Sequence, residues 1–518
     1  MSNRSPDILF QLIKSLEKSE KRHFKLYIKR SSAKEDLKII QLFDAVDKLK
    51  EYDEKLLLKK LPGTEKRQLY NLKTHLYKEI LASLRLLKSA DSIDLQLNEQ
   101  FDYAHILYKK GLFMQSLRIL DKAKETAKYH QKFNFLTLVI ALEKRIESLH
   151  ITRGMLDRVE QLSAEANEVS NHIDTVSRLS NLALQLYSWF IKHGHARNEK
   201  DEMRVIQFMQ DHLPPNAWKQ TGFYERLYLY QSYTWYAFIR QDFLLYYRYS
   251  QKWIDLFQSQ PLMIRVETGH YIKGLHNLLN AHFDLRNFQK FDITLKQFEE
   301  FSTTDRVVEN DNFRIQAFIY IASAKINRHS MMGTFKEGLP LVPGIEEKMN
   351  DYALFIDNHR ILVLNYKIAM LYFGSGDYAT CLDYLQKIIN DPTDLRDDLQ
   401  SYARLVHLLA HYELGNTDII ESLARSVYRY MSKKENLTVI EEEILKFLRN
   451  SFDVSPKKIK PELEKLLSKI KHLEKNRFET RAFAYLDIIS WLESKVYEKP
   501  MSVIIYNKYL ASKKRLYH

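Results

Sequence analysis

The histidine pair His407 and His411 is the most suggestive candidate for metal chemistry in the sequence. The two residues lie four positions apart in the segment HLLAH, which places both side chains on one face of a helix, where they could share a metal ion. No third ligand with a characteristic spacing follows them. Packing or solvent exposure explains the pair better, and we expect no metal site.

None of the common catalytic motifs is present in the sequence. There is no Walker-type loop, HExxH, GxSxG or kinase set. The segment GSGDYA, residues 374–379, has the spacing of a dinucleotide-binding loop, but such a loop follows a strand and this one follows a predicted helix. Glu441, Glu442 and Glu443 stand at a predicted helix start, which favours a solvated position over an acid/base pair. We expect a non-catalytic protein without a cofactor.

An aromatic run from Phe223 to Phe257 is the first feature that indicates binding. It places 14 aromatic residues in 35 positions, and one helix face buries only about half of a helix's residues. Some rings are therefore expected at a groove, where Tyr and Trp supply contact area and a polar tip. Packing between helices is the alternative explanation. The residues predicted to bind a partner are Tyr228, Trp235, Tyr236, Tyr246 and Trp253.

The segment from residue 53 to residue 81 is the second such feature, and it has the outline of a helix-turn-helix. A short apolar helix, a break at Pro62 and Gly63, and a longer helix follow one another. The first turns of the longer helix carry side chains that reach phosphates and base edges. Any helical hairpin on a basic chain produces the same pattern. The candidate nucleic-acid contacts are Lys66, Arg67, Asn71 and Lys73.

The elements that must position these residues are predicted to be helices. The chain has 518 residues but only 13 Gly and 11 Pro, well below the usual shares of roughly 7% and 5%. Folds rich in strands need both residues for their turns.

The start of the chain has no signal-peptide pattern, and no apolar run reaches about 18 residues, so we expect a cytoplasmic protein without membrane insertion. The single Cys381 excludes an internal disulfide and is expected to be buried.

The positive charge of the chain is concentrated at its two ends. The net charge is +13; residues 1–100 carry 21 Lys or Arg against 15 Asp or Glu, and residues 455–518 carry 15 against 7. Basic ends attract nucleic acid or another acidic surface, because charge neutralisation releases counterions. Solvated faces of lysine-rich helices are the alternative explanation.

Predicted turns recur along the middle of the chain at intervals of 39 to 47 residues. Each interval holds two helices and two turns, and neither helix can bury its apolar face alone. The pattern therefore predicts helical hairpins stacked into an α-solenoid. The predicted turn residues are Gly111, Gly154, Gly194, Gln241, Arg286, Gly333, Gly376 and Gly415.

Two of these units resemble the tetratricopeptide (TPR) repeat. The first carries Tyr108, Gly111, Phe113, Leu120 and Ala123. The second carries Tyr372, Gly376, Tyr378, Leu385 and Ile388, closed by Pro392. The family unit has about 34 residues, so the units here are longer, and Ser116 and Cys381 stand where the family prefers Ala. The resemblance to the TPR-like superfamily implies a concave surface that binds a protein or a peptide.

These patterns predict an all-α fold with three parts. They are a basic N-terminal helical domain of residues 1–94, a TPR-like hairpin array of residues 95–455, and a basic C-terminal helical cap of residues 456–518. The expected function is a non-catalytic scaffold or adaptor that binds a protein or peptide on the array. The alternative is a nucleic-acid-binding transcriptional regulator with a helix-turn-helix-like head and a TPR-like sensor array.

Overall fold

The computed structural model consists of helices joined by short turns. It describes residues 7–29, 34–89, 92–150, 155–220, 222–392, 396–434, 437–450, 456–479 and 485–515. None of these residues lies in a strand, which confirms the predicted all-α fold. None of the helices in these ranges combines the length and the apolar composition needed to cross a membrane.

The chain forms two compact units, residues 1–173 and residues 174–518. The predicted boundaries after residues 94 and 455 describe a different division and stay predictions. The helices of the first unit are α1 (Ile8–Ser15), α2 (Lys18–Lys29), α3 (Lys34–Asp47), α4 (Glu54–Lys60), α5 (Lys66–Lys88), α6 (Ile93–Lys109), α7 (Phe113–Tyr129), α8 (Phe133–Leu149) and the first part of α9 (Met155–His193).

The second unit contains the rest of α9 and the helices that follow it. These are α10 (Glu199–His212), α11 (Phe223–Ile239), α12 (Phe243–Ser259), α13 (Pro261–Val266), α14 (Thr268–Asp284), α15 (Phe288–Ser302), α16 (Asp305–Val308), α17 (Asp311–Met332), α18 (Phe335–Gly338), α19 (Leu341–Asp351), α20 (Asn358–Ser375), α21 (Tyr378–Ile389), α22 (Asp397–Glu413), α23 (Thr417–Lys433), α24 (Val439–Asn450), α25 (Pro456–Lys471), α26 (Ile488–Val496) and α27 (Met501–Arg515). Two short 3₁₀ turns occupy Ala217–Lys219 and His472–Lys475.

Consecutive helices pack as hairpins, because each has one apolar stripe that a neighbour must cover. In the first unit α6 packs on α7, and in the second α11 packs on α12, α14 on α15, α20 on α21 and α22 on α23. Successive hairpins also contact one another, since α12 packs on α14, α14 on α17, and α17 on α20. One continuous core runs through the last of these elements, from α17 to α27.

Left-handed backbone marks the predicted turns. Gln241 and Arg286 adopt it although L side chains disfavour this conformation, so the tight connection between the two helices outweighs that local cost. Gly154 lies outside the described residues. The other seven predicted turn residues are confirmed, with φ between 53° and 90°: Gly111, Gly194, Gln241, Arg286, Gly333, Gly376 and Gly415.

The C-terminal helix α27 returns to the middle of the second unit and contacts both α17 and α20. Gly333, at the end of α17, makes this close approach possible. A Cβ atom there would lie 2.5 Å from the carbonyl oxygen of Ser502, and its φ of 72° favours glycine as well. The C-terminal segment therefore packs along the hairpins as well as onto α24, which it contacts through α25.

Candidate functional site

The second unit contains a cavity of about 400 Å³. Most of its wall comes from one face each of α9, α11, α14, α17 and α20, because the lining residues of each helix recur at helical spacing. Met501 and Ile505 of α27 complete the wall on another side. A cavity of this size accommodates a drug-sized molecule or a short stretch of peptide.

The wall of this cavity carries more cations than carboxylates. One of its two carboxylates, Asp487, is used to cap α26, where it accepts hydrogen bonds from the amide nitrogen of Ser490 at 3.0 Å and from its Oγ at 2.7 Å. The cationic lining residues are Lys273, Arg286, Arg360, Lys367 and Arg396, and the carboxylates are Asp284 and Asp487.

Arg396, Asp398 and Tyr485 form a closed network, here called the Arg396 cluster. Arg396 donates from Nε and Nη2 to the two Asp398 oxygens at 2.7 and 2.8 Å, and the Tyr485 hydroxyl donates to Asp398 as well. Burial alone would raise the pKa of Asp398, but Arg396 and Tyr485 outweigh it and hold this pKa far below its usual range. The Tyr485 ring stacks on Tyr402 with centroids 4.1 Å apart. The Asp398 charge is therefore satisfied inside the protein.

A second set of polar residues lies along α14 and is left open to the cavity. We call it the α14 face. The other four residues follow the first at distances of three, four, seven and eleven positions, which places all five on one side of the helix. The members are Lys273, His276, Asn277, Asn280 and Asp284.

His276 forms the middle of the α14 face as a neutral ring. It stacks on Tyr320 of α17, with centroids 3.9 Å apart and the planes 14° from parallel. Burial, together with nearby Lys273, Lys367 and Arg360, lowers the pKa of His276 well below its usual value. Its Nε2 lies 3.1 Å from Asn280 Nδ2 and accepts a hydrogen bond from it.

Asp284, at the C-terminal end of the α14 face, has no direct partner among the described residues. In the described part of the chain its carboxylate forms no hydrogen bond and no ion pair. Burial raises the pKa of Asp284 to about 7, although Arg286 and Lys367 oppose the rise. Lys367 itself donates to Asn327 Oδ1 at 2.5 Å, and burial lowers its pKa to about 8.

Lys273, at the other end of the α14 face, is surrounded by aromatic rings. Its ammonium lies 5.8 Å from the centroid of Trp235 and 5.3 Å from that of Tyr320. Within the described ranges it forms no ion pair and no hydrogen bond through its ammonium. Arg360 lies 6.0 Å from the same Tyr320 ring and 3.2 Å from Asp357. Two cations therefore lie close to one ring.

The five predicted partner-binding residues occupy different environments. Trp235 is half-buried and lines the cavity, and Tyr246 lines it with only 3% of its surface exposed. Tyr228 and Tyr236 are half-buried and lie outside the lining. Trp253 is 2% exposed and belongs to the core between helices. The cavity thus brings together two of the five rings.

Lys73, one of the four predicted nucleic-acid contacts, is engaged within the first unit. Its ammonium forms an ion pair with Asp7 and donates to the hydroxyl oxygen of Tyr52 at 2.8 Å. Both side chains of this ion pair are largely buried. The geometry gives Lys73 a structural partner at the N-cap of α1.

The other three predicted contacts lie on the exposed surface at the start of α5. Lys66 lies 3.1 Å from Glu54 of α4, whereas Arg67 and Asn71 are exposed. The left-handed turn at Gly63, with φ of 80°, separates α4 from α5. The predicted short helix, turn and longer helix are therefore present.

The His407 and His411 rings lie 4.6 Å apart between centroids. Burial lowers the pKa of His407 to about 4, with His411 and Arg404 contributing to the shift. Among the described residues, no group of three His, Cys, Asp or Glu side chains has a geometry that could hold a metal ion. Cys381 is buried, as expected.

Sequence analysis missed the α14 face. The segment KGLHNLLNAHFD contains the whole pattern, but polar residues at helical spacing are typical of a solvated helix face. Only the packing of α14 on α17, and of α17 on α20, reveals that this polar face lines a cavity.

No protein-family model matches the chain, and no curated protein matches it either. The resemblance to the TPR-like superfamily therefore stays a prediction, and the function has to be argued from the cavity.

Proposed function

We propose that this chain is a non-catalytic binding protein of the TPR-like superfamily, and that the cavity of its second unit holds a peptide or a segment of a partner protein. The observation that carries the proposal is the cavity of about 400 Å³ lined by the faces of consecutive hairpins. Aromatic rings in its wall supply contact area, and a few placed polar groups supply orientation.

Asparagine side chains in the wall suit a peptide backbone. Asn277 and Asn280 of α14 and Asn327 of α17 all line the cavity. A side-chain amide offers a donor and an acceptor side by side, which matches the peptide group. Asn327 uses its oxygen for Lys367, so its NH₂ group remains for a carbonyl of the ligand.

Affinity capture from the native host, followed by mass spectrometry, tests the proposal when wild type is compared with Trp235→Ala. We expect Trp235→Ala to capture about one fifth as much of the partner as wild type, or less, since a buried aromatic contact is worth roughly 1 to 3 kcal/mol. Trp218→Ala is the matched control, because Trp218 is 50% exposed and lies outside the lining. Circular dichroism verifies that both variants are folded.

The opposite result would contradict the proposal: a partner lost from Trp218→Ala but retained by Trp235→Ala binds elsewhere. The double change of Trp235 and Tyr246 to alanine, suggested by the aromatic run, separates binding from folding less well. Tyr246 is 3% exposed, and truncating a buried ring destabilises the fold by itself. Tyr246→Phe is the better second variant, because it keeps the ring.

A second candidate function is nucleic-acid binding by the first unit. The exposure of Arg67 and Asn71 directly after the Gly63 turn favours it. Gel shifts of the full-length chain, with a salt titration, test this candidate against the double variant Arg67→Ala, Asn71→Ala. Loss of one phosphate contact reduces the salt slope by about one. Absence of binding by the wild type at low salt removes the candidate.

A further inference from the structure

The two ends of the α14 face carry an ammonium group and a carboxyl group, and neither has a hydrogen bond or an ion pair among the described residues. Lys273 has aromatic rings around its ammonium, and Asp284 forms no hydrogen bond or ion pair in the described part of the chain. Both residues line the same cavity. Buried or half-buried charges are ordinarily paired, because an unpaired charge costs free energy. A ligand with a negative group at one end and a positive group at the other would pair both.

The separation of the two charges sets the length of such a ligand. Lys273 and Asp284 are eleven residues apart on one helix, which corresponds to about 16 Å along the axis. An extended peptide advances about 3.3 Å per residue. A peptide of roughly four to six residues therefore spans the distance between them.

The residues between the two charges suit the middle of an extended peptide. The amide of Asn277 lines the cavity between its ends and can pair with a backbone peptide group. The neutral His276 ring, stacked on Tyr320, adds no charge there. The side chains of α14 thus change from cationic, through neutral and amide-bearing, to carboxyl along a single helix, and Arg286 and Lys367 flank the carboxyl end.

We infer that the cavity takes a short extended peptide whose two termini are free, with its carboxylate at Lys273 and its ammonium group at Asp284. The inference rests on the proposed function, since it assigns the class of peptide that the same cavity binds. The Trp235 and Tyr320 rings beside Lys273 would then contact the C-terminal side chains of the peptide. Arg360, which lies close to Tyr320, adds to the positive potential at that end.

Other occupants would use the cavity differently. A segment inside a longer chain has no terminal charges and leaves both Lys273 and Asp284 unpaired. A small anion such as phosphate pairs with Lys273 alone and leaves Asp284 without a partner. Only a ligand with both charges at this separation satisfies both ends of the α14 face.

Matched peptide libraries test this inference with the full-length protein. Random peptides of four to six residues are prepared with free termini, with an acetylated N-terminus, or with an amidated C-terminus. The peptides retained after ultrafiltration are quantified by mass spectrometry, with and without inorganic phosphate as a competitor. We expect either block to reduce retention by about tenfold or more, because a hydrogen bond to a charged group is worth roughly 1.5 to 3 kcal/mol.

Two single variants assign each terminus to its residue. In Asp284→Asn the acetylated library should be retained as well as the free one, while amidation still weakens retention. In Lys273→Gln the reverse should hold. Asp255→Asn and Lys296→Gln are matched controls, because both residues are exposed and lie outside the cavity lining. Both variants should retain less of the acetylated and of the amidated library than of the free one, as wild type does.

Three outcomes would overturn the inference. Equal retention of the free and blocked libraries removes the recognition of termini but leaves peptide binding in place. If phosphate abolishes the retention and acetylation of the peptides does not change it, the site binds an anion only. If no library is retained while capture of a partner protein still depends on Trp235, the inference fails and the proposed function stands; loss of that dependence as well would remove both.

Discussion

Two aspartates of the second unit differ in their surroundings: Asp284 lines the cavity, and Asp398 lies beside the lining residue Arg396. Only one of them has hydrogen-bond partners among the described residues. Asp398 accepts two hydrogen bonds from Arg396 and one from Tyr485. Asp284 accepts none from the described residues. Burial acts on both carboxylates, yet the pKa of Asp398 is held far below its usual range and that of Asp284 rises to about 7. The difference lies in the nearest donors.

This comparison separates a structural charge from a charge available to a ligand. A buried carboxylate with strong partners fixes the elements that carry it, and its removal leaves the partner cation unpaired. A buried carboxylate without partners lowers stability and persists where it serves a function. The Arg396 cluster is of the first kind, and we propose that Asp284 is of the second.

Removal of the Asp398 carboxylate, which has its partners inside the protein, should have the largest effect on stability. We expect Asp398→Ala to lower the free energy of unfolding by about 4 kcal/mol, because it leaves the Arg396 guanidinium without its counter-ion. Urea unfolding of the full-length chain, followed by circular dichroism, measures this loss. Asp284→Ala is the matched control and should cost little or add stability. Equal losses in the two variants would remove the distinction between these aspartates.

The same contrast applies to two tryptophans. Trp253 is 2% exposed between helices, so we expect Trp253→Ala to cost about 3 kcal/mol of unfolding free energy. Trp235 is half-buried and faces the cavity, so Trp235→Ala should cost only about 1 kcal/mol. Thermal and urea unfolding of both variants provide the measurement. If Trp235→Ala is the more damaging change, this ring belongs to the core and its assignment to the binding wall is wrong.

The pH dependence of stability should separate the two aspartates by sign. Asp284 keeps its proton in the folded state up to about pH 7, whereas an unfolded Asp releases it near about pH 3.9. The folded state therefore binds more protons between these values, and this group lowers stability as the pH rises from about 4 to about 7. Asp284→Asn lacks that loss, so its stability relative to wild type should rise steadily as the pH increases across this window.

Asp398 should behave in the opposite way. Its folded-state pKa is lowered, so its contribution is present above about pH 4 and is lost as the pH falls below that value. Unfolding of Asp284→Asn between about pH 4 and pH 8, and of Asp398→Asn between about pH 2 and pH 6, makes the comparison. The charged and titratable groups that act on Asp284 are Arg286, Lys367 and Tyr246, and a flat difference for Asp284→Asn would mean that they hold it ionised.

The sequence predicted the helical hairpins well because their turns have a local cause. Gly376 and Gly415 adopt left-handed backbone at the helix ends, a conformation that favours glycine. Even Gln241 and Arg286, which lack that preference, followed from the spacing of the other turns and have φ of 56° and 53°.

The cavity could not be predicted in the same way, because it depends on contacts between distant elements. Lys273 and Asp284 lie on a helix face that sequence periodicity describes as solvated. Tyr320 and Lys367 reach the same space from α17 and α20. The aromatic run supplied Trp235 and Tyr246, but nothing in the run distinguishes them from the buried Trp253.

The smallest expected effect concerns two cations of the first unit. Lys73 is paired with other side chains, whereas Arg67 is exposed. Lys73 pairs with Asp7, which also accepts hydrogen bonds from the first amides of α1 at 3.1 Å. We expect Lys73→Ala to cost about 1 kcal/mol, because it removes a largely buried ion pair that orients a helix cap. Arg67→Ala should stay within about 0.5 kcal/mol of wild type, as an exposed side chain does. Urea unfolding measures both changes, and an equal cost for Arg67→Ala would show that Arg67 is used inside the fold and is not free to contact nucleic acid.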